Sequence, residues 1–155
     1  MASPEQRAQF ERFAPLLVRE GVDVATASVA ELEAEHVRIF ADVKKKHASH
    51  ALTADVDIAE TARAAAFFGA DGVIVTGIAT GRPVEPADVR QVSAAVELPV
   101  AVGSGVTPDN LPDLWEFADL FVIGSFIKED GVWSGPMDRD RLALMMQTAH
   151  RLRTK

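Results

Sequence analysis

Four short apolar runs, separated by stretches with helical periodicity, constrain the fold of this chain more than any other feature. They are His36–Val43 (HVRIFADV), Gly72–Thr76 (GVIVT), Pro99–Gly103 (PVAVG) and Leu120–Ile123 (LFVI). They are largely apolar rather than alternating, as strands covered on both faces of a parallel sheet are. A helix is expected after each. Asp57–Phe68 places Asp57 and Glu60 at cap and third position, sets Ile58, Ala62 and Ala66 on one face, and stops at Gly69. Pro86–Val96 carries Val89, Val92 and Val96 on one side. Thr107-Pro108 opens a third helix with Thr107 as its cap. Asp138–Leu152 is the fourth, capped by Asp138, with basic residues at its C-terminal end, where the helix dipole favours them.

Four consecutive βα units define an α/β protein. Right-handed crossovers place the helices outside the sheet. Two architectures remain open, a doubly wound sheet and a (β/α)₈ barrel. The G-x-G-x-x-G signature of a dinucleotide fold is missing, because Gly103-Ser104-Gly105 runs on to Pro108 without a third glycine. A whole barrel needs about 250 residues. The chain has 155, so four units make about half a barrel.

The first 35 residues read differently. Ser3 and Gln6 form a capping box, Phe10, Phe13 and Leu17 make one helical stripe, Pro15 interrupts it, and Ser28 with Glu31 offers a second box. The expected organisation is an N-terminal helical segment, 1–35, followed by a βα domain, 36–155, with no linker between.

Composition narrows the function classes. Sixteen Lys and Arg against twenty-three Asp and Glu give a net charge of −7, which repels a phosphodiester backbone and argues against a nucleic-acid partner. The chain has no cysteine, which excludes disulfides, thiolate metal sites, iron–sulfur clusters and thiol catalysis. No run approaches the roughly 18 apolar residues of a membrane span, and MASPEQRAQFERF lacks the apolar core of a secretion signal. A cytoplasmic protein without membrane insertion is the expectation.

In parallel α/β folds ligands meet the C-terminal ends of the strands. Each end here is polar or rich in glycine. Gly103-Ser104-Gly105 and Gly124-Ser125 follow successive strands; glycine lets backbone N–H groups approach a ligand, and a helix start adds further donors. Together these five residues are the expected phosphate cradle. The first strand end carries the reactive groups: Asp42, Lys46 and His47 are the candidates for acid–base work. Strand alternation sets Asp42 and Lys44 on one side, with Ala41 and Val43 on the other. Lys44, Thr76, Gly77, Thr80 and Gly81 are the candidate substrate contacts. Trp115 and Phe117 read as packing residues. No motif calls for a cofactor. His47 and His50 stand three apart near Asp42 but fall on a loop, so no metal site is assigned.

Four of these motifs in register carry a resemblance. FADVKKKHASHAL, GADGVIVTGIATGRP, PVAVGSGVTPDNL and ADLFVIGSFIKEDGVWSGPMD closely resemble the BtpA/SgcQ family, over His36 to about Arg141. The resemblance implies a ribulose-phosphate-binding type of (β/α)₈ barrel, in which these strands are the fifth to the eighth and the glycine motifs fall at the usual barrel phosphate site. It implies a phosphorylated sugar or nucleoside-like ligand, with isomerase, lyase or glycosidic-bond cleavage all open. One lineage of the family is linked to photosystem I stability or assembly, which implies a non-catalytic alternative. Members of the family carry an N-terminal half with a histidine-rich motif near its start; no such motif is read here, and residues 1–35 do not match that half. A half-barrel leaves two strand edges unpaired, so a homo-oligomer or a complementing half-barrel chain is expected as partner, and an inactive half-barrel that only binds such a chain is the third reading.

Overall fold

The computed structural model describes residues 36–43, 57–77 and 81–154. The expected helical segment 1–35 lies outside them, as do Lys44, Lys46, His47, His50 and Thr80.

Four strands form one parallel sheet: β1 (Phe40–Asp42), β2 (Gly72–Val75), β3 (Val100–Val102) and β4 (Leu120–Phe121), side by side in chain order. Between and after them run α1 (Ile58–Phe67), α2 (Pro86–Ala95), the single-turn α3 (Leu111–Leu114) and the long α4 (Arg139–Arg153). Two short 3-10 turns, Ser125–Ile127 and Glu129–Gly131, join β4 to α4.

The strands are shorter than the apolar runs. Residues 36–39 were expected to start β1, but its neighbour begins only at Gly72, so Arg38 and Ile39 bind Asp71 instead of a ladder. Pro99 lacks an N–H and stands before β3, though its carbonyl accepts from Val73. Gly103 still donates to Val75 O, and Val122 to Val102 O, just beyond the ladders. The third helix starts later than Thr107. Asn110 Oδ1 accepts the Thr107 N–H at 2.8 Å, Asn110 N–H donates to Thr107 Oγ1, and the helix proper begins at Leu111. An Asx side chain at this position stabilises a turn in competition with the helix.

α1 ends as its sequence demands. Gly69 takes φ +85, its N–H bonds Ala66 O, and the Ala70 N–H bonds Ala65 O, the paired arrangement of a left-handed helix stop. The stripe α1 buries is Ala59, Ala62 and Ala65, with Ile58 at its margin, rather than the expected Ile58, Ala62 and Ala66. Small residues let the helix lie close on the sheet.

The core lies between the helices and one sheet face. It joins Ala41, Val43, Val73, Val75, Val100 and Val102 to Ala62, Ala65, Val89, Val92, Leu111, Leu114 and Met145. Trp115 and Phe117 pack against it, Trp115 stacked on Phe121 at 5.6 Å. The alternate strand positions look the other way. Asp42, Ile74, Ala101 and Leu120 are register partners in one row across that second face. Chain-order pairing with helices on one face is a singly wound arrangement, and among the described residues it does not match the strand reversal of a doubly wound sheet.

Candidate functional site at the C-terminal ends of the strands

Parallel strands bring the residues after β1, β2, β3 and β4 to one rim. At its first position Asp42 ends β1 on the second face, with buried Ala41 and Val43 on the other, as alternation requires. Thr76, just past β2 and 3% exposed, donates its hydroxyl to Asp42 Oδ1 at 3.2 Å. These two sequence-picked residues therefore form one polar pair. Threonine's rotatable hydroxyl can hold the carboxylate or release it to a ligand.

Ser104 has a structural task. Its Oγ accepts the Gly77 N–H at 2.6 Å and donates to Arg82 O at 3.1 Å, and the residue is 5% exposed. It ties the loop after β2 to the turn after β3. Gly77 sits so tightly that a Cβ there would meet the Arg82 and Pro83 carbonyls. Gly103 is equally constrained: a Cβ would stand 2.8 Å from the methyls of Ile74 and Thr76.

A cavity of about 230 Å³ opens beside these turns. Gly81, Gly105, Val106, Thr107, Gly124, Ser125, Phe126, Gly131 and Arg141 line it. Thus Gly81, Gly105, Gly124 and Ser125 come together, while Gly77, Gly103, Ser104, Thr76 and Asp42 stand outside its lining. Gly105 adopts φ +64 with Pro83 pressed against its Cα, a conformation and a space that only glycine satisfies. Asn110 Nδ2 holds the Gly105 carbonyl at 2.8 Å, so the turn is braced from behind. The backbone N–H groups of Gly105, Val106 and Gly124 donate to no acceptor among the described residues.

Among the described residues Arg141 is the one cation that lines the cavity. It stands in the first turn of α4, where Asp138 caps the Asp140 and Arg141 N–H groups. Its guanidinium donates to Lys128 O at 2.7 Å and lies 5.1 Å from the Phe126 ring centre. That anchors a planar group with five donors, of which one is spent on Lys128. Sequence reading passed over it, although a cation at a helix N-terminus opposes the helix dipole and was itself a signal.

Among the described residues no cluster of His, Asp and Glu could hold a metal ion, and no helix is long and apolar enough to cross a membrane.

Comparison with known proteins places the chain. The BtpA family model matches residues 16–151. That extends the resemblance read from the motifs at both ends, including into the segment before residue 36. A Caenorhabditis elegans protein, named as uncharacterized and mitochondrial, is 40% identical over 124 residues, 80% of this chain and 44% of its own length. An uncharacterized Thermococcus kodakarensis protein is 37% identical over 137 residues, 86% of this chain and 50% of its own. The photosystem I biogenesis protein BtpA of Synechocystis is 33% identical over 112 residues, 72% of this chain and 39% of its own. The chain spans about half the length of the curated relatives it matches.

Proposed function

The chain belongs to the BtpA family, and from that premise we propose that it binds a phosphorylated small molecule, of the sugar or nucleoside phosphate class, at the C-terminal rim of its sheet. The observation that carries this reading is the braced cavity between the turns after β3 and β4. It combines unclaimed backbone donors at Gly105, Val106 and Gly124 with the anchored Arg141 guanidinium. Glycine turns with a fixed cation suit a phosphate dianion, and Arg presents its donors in the fork that phosphate oxygens match. Size supports the same division. At about 230 Å³ the cavity is smaller than the roughly 300–1,000 Å³ of whole-ligand sites, so it takes the phosphate and leaves the rest of the ligand on the rim. There Asp42, paired with Thr76, is the group placed for proton transfer, with Lys46 and His47 next in sequence and Lys44, Thr80 and Gly81 as further contacts. Ser125 joins the cradle; Ser104, Gly103 and Gly77 shape it. Isomerisation, elimination and glycosidic cleavage all need such a proton carrier.

The alternative, a non-catalytic role in assembling a membrane complex, draws its support from the name of the Synechocystis relative.

A thermal melt decides between them. Ribose 5-phosphate at 100 times its dissociation constant is expected to stabilise the chain by about 2.7 kcal/mol, ribose is expected to do nothing, and Arg141→Gln is expected to remove most of the shift. A wild-type melt that no phosphate or sugar phosphate moves overturns the reading.

A further inference from the structure

The chain has two tryptophans, and they are placed in opposite ways. Trp115 packs against the core, stacked on Phe121. Trp133 is 69% exposed, and Val132 and Met137 on the same loop are half exposed. A tryptophan left in water forgoes one of the largest apolar burials a side chain offers, and exposed apolar patches mark binding surfaces. The loop is held from within. Lys128 and Met137 pair in an antiparallel bridge at its base, where the Glu129 N–H donates to Pro136 O at 3.0 Å and the Asp138 N–H to Ile127 O at 2.9 Å. Inside it the Val132 N–H returns to Glu129 O, and the Gly135 N–H to Val132 O. Two tight turns thus follow one another, and Trp133 is a central residue of the second. The first holds Asp130 at φ +52 and Gly131 at φ +71. Among the described residues Asp130 is the one non-glycine at positive φ, a conformation that persists where the surroundings impose it and that clusters at ligand sites.

We propose that Trp133 is the stacking platform for the base of a nucleoside phosphate, and that it selects this class over a bare sugar phosphate; the inference rests on the phosphate reading above. Gly131 lines the cavity, and a Cβ placed on it would stand 3.8 Å from the Arg141 guanidinium. Two residues of chain lead from Gly131 to Trp133, so their Cα atoms are at most about 7 Å apart. Arg141 donates to Lys128 O at 2.7 Å, which fixes the base of the loop to the very group that meets the phosphate. Cavity and indole therefore belong to one braced unit. At about 230 Å³ the cavity takes the phosphate and leaves the rest of the ligand outside. The largest side chain the loop exposes beside it is the indole. A sugar presents hydroxyls, which need polar partners. A base presents a flat π-face, which stacks on an aromatic ring whatever its edge carries. Held in place before the ligand arrives, the loop has little freedom left to lose on binding.

Calorimetric titration of the unaltered chain with adenosine 5′-monophosphate and with ribose 5-phosphate tests this first. The nucleotide is expected to bind about 5- to 140-fold tighter, the range that stacking one base on an aromatic residue supplies. In Trp133→Ala that ratio is expected to fall to about twofold or less, while Trp133→Phe, which keeps a ring, retains part of it. Equal binding of the two ligands by the wild type, or a ratio that Trp133→Ala leaves whole, overturns the proposal while the phosphate reading stands. A wild type that binds neither ligand overturns both.

Should Trp133→Ala fail to melt cooperatively, the wild type supplies a second route. Of its two indoles, Trp133 is the exposed one that acrylamide reaches. Saturating nucleotide is expected to shield that fluorescence from acrylamide, and saturating ribose 5-phosphate to leave it open. An indole as open to acrylamide with the nucleotide bound as without it overturns the proposal.

Discussion

The two rims of the sheet use the same residue type to opposite ends. At the N-terminal rim Asp71 and Asp119 each follow an alanine and precede a strand. Asp71 Oδ2 accepts the Ile39 N–H at 2.8 Å while its own N–H returns to Ile39 O; Asp119 Oδ2 accepts the Val100 N–H at 2.9 Å while its N–H returns to Val100 O. Each is a closed exchange that locks the start of one strand to the start of the next. The Asp71 carboxyl is held below its ordinary range, first by the Ile39 N–H, then by the Arg38 guanidinium at 2.6 Å. At the C-terminal rim Asp42 meets a rotatable hydroxyl, and the neighbouring turns keep backbone donors unclaimed. One rim therefore spends its polar groups on cohesion, while the other, braced by Ser104 and Asn110, leaves the Gly105, Val106 and Gly124 N–H groups without an acceptor among the described residues. The βα repeat supplies both rims at no extra length, so stability and chemistry can vary separately.

Substitutions can break or sharpen that contrast. The largest effect is expected from Gly105→Ala, where a left-handed φ and a collision with the Pro83 backbone together cost about 3 kcal/mol or more in urea unfolding, and the ribose 5-phosphate shift is lost with the turn. Ser104→Ala comes next. It leaves the Gly77 N–H buried without its acceptor, and the expected loss is about 1–3 kcal/mol. If Ser104→Ala instead keeps full stability and loses only the ligand shift, Ser104 belongs with the ligand groups. The smallest effect is expected from Asp71→Asn, a half-buried carboxylate whose charged partner Arg38 is exposed and solvent-screened. Because the folded carboxyl titrates below its unfolded value, the advantage of wild type over this variant is complete above about pH 3.9 and disappears as pH falls through the lower folded value. Paired melts at neutral pH and below pH 3.9 read that difference, and the ligand shift should be the same in both proteins. An altered ligand shift in Asp71→Asn would show the rims to be coupled.

Much of the fold was legible because its periodicities are local. The apolar runs mark the strands, Gly69 marks the end of α1, and Asp138 marks the start of α4. Strand ends were less legible, since a ladder stops where its neighbour stops, and that neighbour is some thirty positions away. The start of α3 was hidden by a side chain: Asn110 makes its own turn with Thr107. In the candidate site, the glycines at 81, 105 and 124 were legible as turn residues. The direction of the Ser104 hydroxyl was not, because Gly-Ser-Gly reads the same whether that oxygen faces a ligand or a neighbouring loop. The aspartate exchanges at 71 and 119 depend on register across strands, which single-segment patterns do not carry, whereas Arg141 had a local signal, a cation in the first turn of its helix.

The chain-order sheet also bears on how the protein assembles itself. Phe40 and its partner Gly72 are 32 positions apart, Val73 and Val100 are 27 apart, and Ala101 and Leu120 are 19 apart. Closing the shortest of these loops costs about 0.5 kcal/mol less entropy than closing the longest. Pairing of β3 with β4 is thus the least expensive step. The cradle-bearing end would form early in folding, and the strand that carries Asp42 would join it late.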